Sequence, residues 1–503
     1  MALIVLMAAV ELVIHLLTNG GYNVFRDEFY YIACGRHLAW GYVDHPPLVA
    51  AVAALSRAWF GDSLRGLRLF PALAGSLTVL LTGLMARDLG GGRFARFLAC
   101  LGAIVAPVYL GNFTLFTMNA FDLLFWALAA WLLIRILNGG NPRQWLLLGL
   151  VAGVGLLNKH SMLFFLGGMF LGLLLTSARR HLRTRWPWLA ALIAALLVAP
   201  HVAWQVSHGW PTVEFIQRAS RLKNFPISPL GFLWGQVLLM QPLTFPVWLA
   251  GLGSLLLGFG SRRHRALGLA YLAVFLLLML TKSKVYYLSP AYPFLLAAGA
   301  GALERFSDAR GRGWLRPTAA AACLVGGAVL APLALPLLPP ARLEAYMHAL
   351  RLTPPPEERH RAPRLTQTFA DMFGWEEMVA KVARVYHALP PAERARCVLF
   401  ASNYGEAGAI DYYGPRYGLP PAVSGHNNYF LWGPGDMSGG RGDVVITVGE
   451  TREDVGHSYR EVTEADRTDN EWCMPFENDV PILVGRGPKN RLSEIWWRCK
   501  DYI

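Results

Sequence analysis

Hydrophobic residues in this chain come in long runs rather than in the short alternations of a soluble fold. Up to about Pro339, apolar stretches follow one another, split by short basic or aromatic loops. A membrane span needs roughly 20 apolar residues, with about 17 to 25 tolerated. Eleven stretches answer to that, near 2–18, 66–86, 95–111, 117–137, 144–158, 161–178, 186–205, 229–259, 266–281, 285–303 and 316–338. The fifth is short, and the eighth is long enough to tilt or to include a surface segment. After Pro339, charge, Gly, Asn and Pro return at the level of a soluble domain. The pattern predicts a polytopic α-helical membrane protein with eleven transmembrane helices over 1–339. A C-terminal α/β domain over 340–503, outside the membrane and large enough for its own core, follows it.

The loops orient the spans. Those after the second, fourth, sixth, eighth and tenth runs are all Arg-rich, whereas the loop after the third run, GNFTLFT, has no basic residue. Positive loops stay inside. The N-terminus is therefore expected in the cytoplasm, with the first loop and the C-terminal domain on the opposite, periplasmic face. Some cations run against that bias: Lys159 in NKHS, Arg218, Arg221 and Lys223 in the 206–228 loop, and Lys282 and Lys284 in TKSKVYY. A phosphate held at the outer face would account for them. Snorkelling or lipid-headgroup contact is the competing reading.

The first external loop, 19–65, carries the polar stretch RDEFYYIACGRHLAWGYVDHPPL, from Arg26 to Leu48. It gathers three carboxylates (Asp27, Glu28, Asp44), two histidines (His37, His45) and the aromatic pair Tyr30-Tyr31. Ionisable groups at the mouth of a membrane bundle are costly and point to function. Glu28–Trp40 and Pro47–Phe60 have helix-compatible composition, with Pro47 suited to a first turn, and read as two surface helices. Asp27 stands at the entrance of the first, where a helix N-cap is the structural alternative to a chemical role. His37 reads as a surface residue.

In the tail, the Pro354-Pro355-Pro356 run reads as a linker, followed by a helix near Trp375–Leu389. CVLFAS and DVVITVG are short strand-type runs, and the order of elements suggests a small α/β layer domain. Asn403, Tyr404 and Glu406 then fall where a strand ends and a helix begins, a frequent ligand position. SGHNNYFLWGPG is dense in side chains that bond to or stack on sugars: His426, Asn427, Asn428, Tyr429 and Trp432. A well-packed polar turn is the alternative. RGD at 441–443 and the NFT sequon at 112–114 are taken as chance matches.

Composition adds little that the pattern has not said. Hydrophobic residues make up 54% of the 503, and charged residues 16%. The net charge of +13 is mostly loop Arg, which topology explains, and no nucleic-acid module accompanies it. Six cysteines form no CxxC pair. Cys473 and Cys499 are able to pair if the tail faces an oxidising compartment. The first run lacks a basic leader and a small-residue cleavage site, and so reads as a retained anchor.

An apolar first span, the Asp27-Glu28 pair, the aromatic run and GYVDHPPL before a second surface helix resemble the bacterial protein O-mannosyltransferase and aminoarabinose transferase family, which are GT-C glycosyltransferases. TMNAFDLLFW and LNKHSMLFF are similar to that family's second external loop and the lysine segment after it. The resemblance covers roughly 1–340. The tail phrases SNYGEAGAIDYYG and SGHNNYFLWGP resemble those of bacterial glycosyltransferases more loosely.

The resemblance implies transfer of a sugar from a polyprenyl-phosphate donor to an acceptor at the periplasmic face of the inner membrane. It assigns the catalytic carboxylate to Asp27, its companion to Glu28, the acidic residue of the second loop to Asp122, and the lysine that meets the donor phosphate to Lys159. Asp44 and His45 match an acidic-basic pair whose second member is Lys in the aminoarabinose enzymes, and Tyr30 stands where those have Arg. Both departures argue against aminoarabinose as the donor sugar. A neutral acceptor hydroxyl needs a carboxylate within hydrogen-bond reach, and a leaving phosphate needs preorganised positive charge. Lys159 leads for the latter, with His45, Arg218, Arg221, Lys282 and Lys284 as lesser candidates. The resemblance requires no cofactor; a divalent metal is compatible with the carboxylates but not implied. Lipid A, protein and another envelope glycan all remain open as acceptors. The alternative in a different class is a transporter or flippase of a lipid-linked substrate with a ligand-binding outer domain; mid-span ionisable residues and an inverted repeat would favour it. A non-catalytic scaffold of an envelope complex is a third.

Overall fold

The computed structural model of the chain describes residues 1–222, 227–258, 262–353 and 361–503. Lys223, the end of the eighth apolar run at Phe259, and Pro354-Pro355-Pro356 lie outside them. The chain divides into two compact units: Met1–Gly21 with His45–Trp204 and Pro226–Leu337, and Tyr22–Asp44 with Gln205–Phe225 and Leu338–Ile503.

The first unit is helical, and every apolar run read from the sequence holds helix. Among the described residues, five helices are long and apolar enough to cross a membrane alone: Leu64–Asp88, Met118–Leu137, Trp186–Ser207, Arg262–Leu280 and Leu315–Ala334. Three more qualify only as bent pairs, Arg93–Ile104 with Pro107–Thr114 (62°), Met162–Leu174 with Ser177–Arg183 (108°) and Pro229–Leu239 with Pro242–Leu257 (93°). Proline marks two of these breaks, as its missing N–H and ring clash require. By length and composition alone, five helices, or up to eight if each bent pair is one span, qualify among the described residues. Ala2–Thr18 and Gln144–Asn158 are shorter apolar helices of 17 and 15 residues, the first at the lower edge of the spanning range. Tyr292–Ala309 carries Glu304, Arg305 and Asp308 near its end. Glu304 has a structural task there. Its carboxylate accepts the backbone N–H groups of Gly92 (2.5 Å), Phe94 (3.1 Å) and Ala95 (3.3 Å), at the positive end of the Arg93–Ile104 helix.

Lipid cannot drive helices together hydrophobically, so close contact relies on small residues. A Cβ on Gly251 would collide with the Leu295 carbonyl, and one on Gly299 with the Val247 carbonyl, so Phe245–Leu257 and Tyr292–Ala309 meet backbone to backbone. Gly172 stands equally close to the Ala266 carbonyl, joining Met162–Leu174 to Arg265–Leu280.

The second unit is built on a five-stranded sheet in the order β2-β1-β3-β5-β4. Its strands are β1 (Cys397–Ala401), β2 (Ala422–Ser424), β3 (Val444–Val448), β4 (Tyr459–Arg467) and β5 (Pro481–Pro488). β1 pairs in parallel with β2 and β3, while β5 runs antiparallel to β3 and β4. Central β3 is buried at every residue, as its unbroken VVITV requires. The Tyr404–Tyr413 helix connects β1 to β2. The first-loop helix, Arg26–Arg36, packs against it: Phe29 meets Trp375, Tyr412 and Tyr413 edge-on at 5.6–5.8 Å. The second first-loop helix, Leu48–Phe60, belongs to the other unit. All six cysteines are free thiols, so Cys473 and Cys499 are unpaired here.

Candidate functional site

The sequence-predicted residues fall into one group in each unit. In the sheet-containing unit the Arg26–Arg36 helix is capped at Phe25, whose N–H donates to the Glu28 carboxylate (2.9 Å). The N-cap reading of Asp27 is thereby corrected: Glu28, fully buried, reaches back to the helix start, and Asp27 one position earlier is released from that duty. The half-buried Asp27 carboxylate instead accepts the Tyr404 hydroxyl at 2.8 Å.

Tyr404 is held on several sides. Its ring lies 4.8 Å from that of Tyr30 and 4.8 Å from that of His426, and the Arg26 guanidinium sits 4.8 Å from its centroid. Its backbone N–H donates to His426 Nδ1 (3.2 Å), so His426 carries its proton on Nε2 and donates it to the Ile503 carbonyl (2.7 Å). The Tyr30 hydroxyl donates to Asp44 (2.8 Å) and accepts the Asn428 N–H (3.3 Å), while the Asn428 side-chain oxygen accepts the Val43 N–H (2.7 Å). Tyr31 is buried beside Tyr30. Asn427 is buried in a left-handed conformation (φ 46°), and Tyr429 donates to Asp411 (2.8 Å). Asn403 caps the Tyr404–Tyr413 helix, and Glu406 accepts the Ser402 N–H (2.8 Å).

Burial sets the electrostatics. It raises the Tyr30, Tyr31, Tyr404 and Tyr429 phenols well above the ordinary tyrosine range, and Tyr30, Tyr404 and Tyr429 donate from the protonated form. Burial and the adjacent Glu477 push the Glu406 carboxyl well up, and burial raises Glu477. Burial opposes the Arg26 charge, but Tyr404, Glu477, Asp371 and Asp27 around it hold the guanidinium protonated.

In the helical unit Lys159 follows the Gln144–Asn158 helix in extended conformation. Its ammonium donates to Asn119 (2.6 Å), lies 3.9 Å from the Asp122 carboxylate, and faces the Tyr287 and Tyr286 rings at 4.7 and 5.6 Å. Asn119 and Asp122 share one face of Met118–Leu137, three residues apart. Ser161 donates to Asp122 (2.7 Å). The His160 and His201 Nε2 atoms are 3.0 Å apart, so one carries the shared proton and the other accepts it. Burial, then His201 and His45, lower the His160 imidazole to about 4. His45 is fully buried with Nδ1 2.8 Å from the Pro46 carbonyl oxygen.

Lys282 is exposed, and Lys284 immediately precedes the Val285–Ala291 turn that bears the two tyrosines. Arg218 is paired with Asp501 (3.1 Å), and Arg221 is exposed on the same Pro211–Leu222 helix. His37 stacks on Trp432 at 4.4 Å. Among the described residues no group of three His, Cys, Asp or Glu is disposed to hold a metal. Sequence reasoning passed over Asn119, Ser161, His160, His201, Tyr286 and Tyr287. Polar residues flanking Asp122 and Lys159 in TMNAFD and NKHS were the available signal.

A helical unit with several apolar spans and a sheet-containing companion describe a multi-pass membrane protein. Residues 44–204 match the family model described as dolichyl-phosphate-mannose-protein mannosyltransferase. The chain is 25% identical over 275 residues to a lipid A galacturonosyltransferase of Rhizobium johnstonii, covering 52% of this chain and 57% of that protein. It is 34% identical over 96 residues to a polyprenol-phosphate-mannose–protein mannosyltransferase of Corynebacterium glutamicum, covering 19% and 18%. The chain thus spans little more than half the length of the first of these relatives and less than a fifth of the second. In structure it is similar to ArnT of Cupriavidus metallidurans bound to undecaprenyl phosphate (TM-score 0.62, 16% identity, 95% of this chain and 97% of that one). The Archaeoglobus fulgidus oligosaccharyltransferase is also similar in fold (TM-score 0.51, 14% identity, 82% and 63%).

Proposed function

We propose that the chain is an inner-membrane glycosyltransferase that moves a sugar from a polyprenyl-phosphate donor to an envelope acceptor at the periplasmic face. The N-terminus is cytoplasmic, the eleven apolar runs serve as the spans, and the tail is a periplasmic α/β domain. The observation that carries this reading is the Lys159 ammonium, poised by Asn119, Asp122 and two tyrosine faces within the stretch that matches the mannosyltransferase family. A half-buried cation held in an aromatic and polar frame is suited to a lipid phosphate, which stays charged throughout the reaction. The names of the relatives support the same class: a lipid A transferase, a polyprenol-phosphate-mannose enzyme and a protein bound to undecaprenyl phosphate.

In this mechanism the acceptor oxygen attacks the anomeric carbon. The bond from that carbon to the lipid phosphate oxygen breaks with its electron pair, and polyprenyl phosphate leaves. Asp27 orients the acceptor hydroxyl and takes its proton. Lys159 offsets charge on the leaving phosphate, which needs no strong acid. No cofactor is required. The test gives purified protein a panel of labelled polyprenyl-phosphate sugars. Asp27→Asn is expected to reduce transfer by about 10²–10⁴, with folding unchanged. Undiminished transfer by that variant would remove Asp27 from the role.

A further inference from the structure

The tail unit's hold on Asp27 is not explained by any motif of the membrane segment. We propose that Tyr404 is a positioning residue for Asp27: its hydroxyl, directed by the tail fold, orients the carboxylate that receives the acceptor proton. The inference rests on the function proposed above.

Three observations carry it. Asp27 accepts the Tyr404 hydroxyl at 2.8 Å, although 377 residues separate the two in sequence. The Tyr404 ring has little freedom to turn away, since Tyr30, His426 and the Arg26 guanidinium all stand 4.8 Å from it. The helices carrying the two residues meet where a side chain would not fit. A Cβ on Gly405 would come within 2.8 Å of Arg26 Cγ, and one on Gly408 within 2.7 Å of Phe29 Cβ. The glycines at 405 and 408 therefore let the tail helix lie directly on the helix that bears Asp27, fixing where the phenol arrives. Glu28 satisfies the start of that helix, which frees Asp27 to accept. The phenol therefore fixes the direction in which the Asp27 carboxylate is presented.

Tyr404→Phe removes one oxygen and keeps the ring. Full-length protein in nanodiscs is followed by infrared difference spectroscopy at the carboxylate band that Asp27→Asn abolishes. That band is expected to shift in frequency in Tyr404→Phe, because its carboxylate loses a hydrogen-bond donor. In the labelled polyprenyl-phosphate sugar assay, kcat is expected to fall about tenfold at neutral pH, with KM for the donor unchanged. An unmoved band overturns the proposal whatever the activity, and so does a lowered melting temperature with band and kcat in place, since a packing role alone would do that. Retained transfer by Asp27→Asn would instead defeat the catalytic reading of Asp27, while the band still judges the hydrogen bond by itself.

Discussion

Replacing Lys159 by Met removes a charge and keeps most of the side chain's volume, and two different costs should follow. The ammonium stands 3.9 Å from Asp122, worth about 4 kcal/mol of attraction at an effective dielectric near 20. It also makes a charge-assisted hydrogen bond to Asn119 at 2.6 Å, worth about 1.5–3 kcal/mol. Desolvation has already taken part of this. The net price of leaving a buried partner alone is about 3–5 kcal/mol. Lys159→Met should thus lower the melting temperature clearly, and this alone would mimic a functional defect.

Adding Asp122→Asn separates the two costs. The double variant has no stranded carboxylate, and Ser161 still bonds to the amide at 122. Its stability should return to within about 1 kcal/mol of the parent. Donor binding should not return, because the cation that meets the phosphate is still missing. The assay pairs thermal unfolding in one detergent with titration of polyprenyl phosphate by native mass spectrometry. Affinity is expected to fall about tenfold or more in both variants, each 1.4 kcal/mol counting as a factor of ten. If the double variant recovers affinity along with stability, Lys159 is only Asp122's structural partner and the phosphate assignment fails.

Two further outcomes follow from the sheet-containing unit. Glu28→Ala should lose about 1–2 kcal/mol of stability by orphaning the Phe25 N–H, whereas Glu28→Gln should keep most of both stability and transfer; a dead but stable Glu28→Gln would point to a direct catalytic role instead. Burial, and Asp454 beside it, raise the Glu450 carboxyl from 4.5 to about 7. A raised folded-state value means a stability contribution fully present below pH 4.5 and lost as pH climbs through 7, about 3 kcal/mol at most. Glu450→Gln should flatten that part of the stability curve, and an unchanged slope in urea unfolding between pH 5 and 8 would show that the group is solvated.

What the sequence made legible divides by range. Apolar runs and turn residues act locally, so helix over each run and strands at CVLFA and VVITV were readable. So was the strand-to-helix step at Asn403. Span count was less so: a proline kink or a charged final turn changes how a run meets the bilayer without breaking its apolar pattern, as Pro107 and Glu304 do. Partners were legible least. Asp27 could be singled out as a carboxylate in an unusual place, but nothing near it in the chain names Tyr404. The two glycines that bring the helices together look, in SNYGEAGAIDYYG, like ordinary helix-weakening residues. Their cost in helix propensity becomes intelligible only with the neighbour in view. Gly405 and Gly408 lie against Arg26 and Phe29, the residues on either side of the Asp27-Glu28 pair. A substitution at 408 should therefore act on Asp27 by displacing its helix, although the residue itself carries no chemistry. Gly408→Val, with a bulk that cannot fit within 2.7 Å of Phe29 Cβ, should reproduce the Tyr404→Phe shift of the carboxyl band while leaving the phenol intact. A band that stays put in a folded Gly408→Val protein would mean that the hydrogen bond does not depend on that packing.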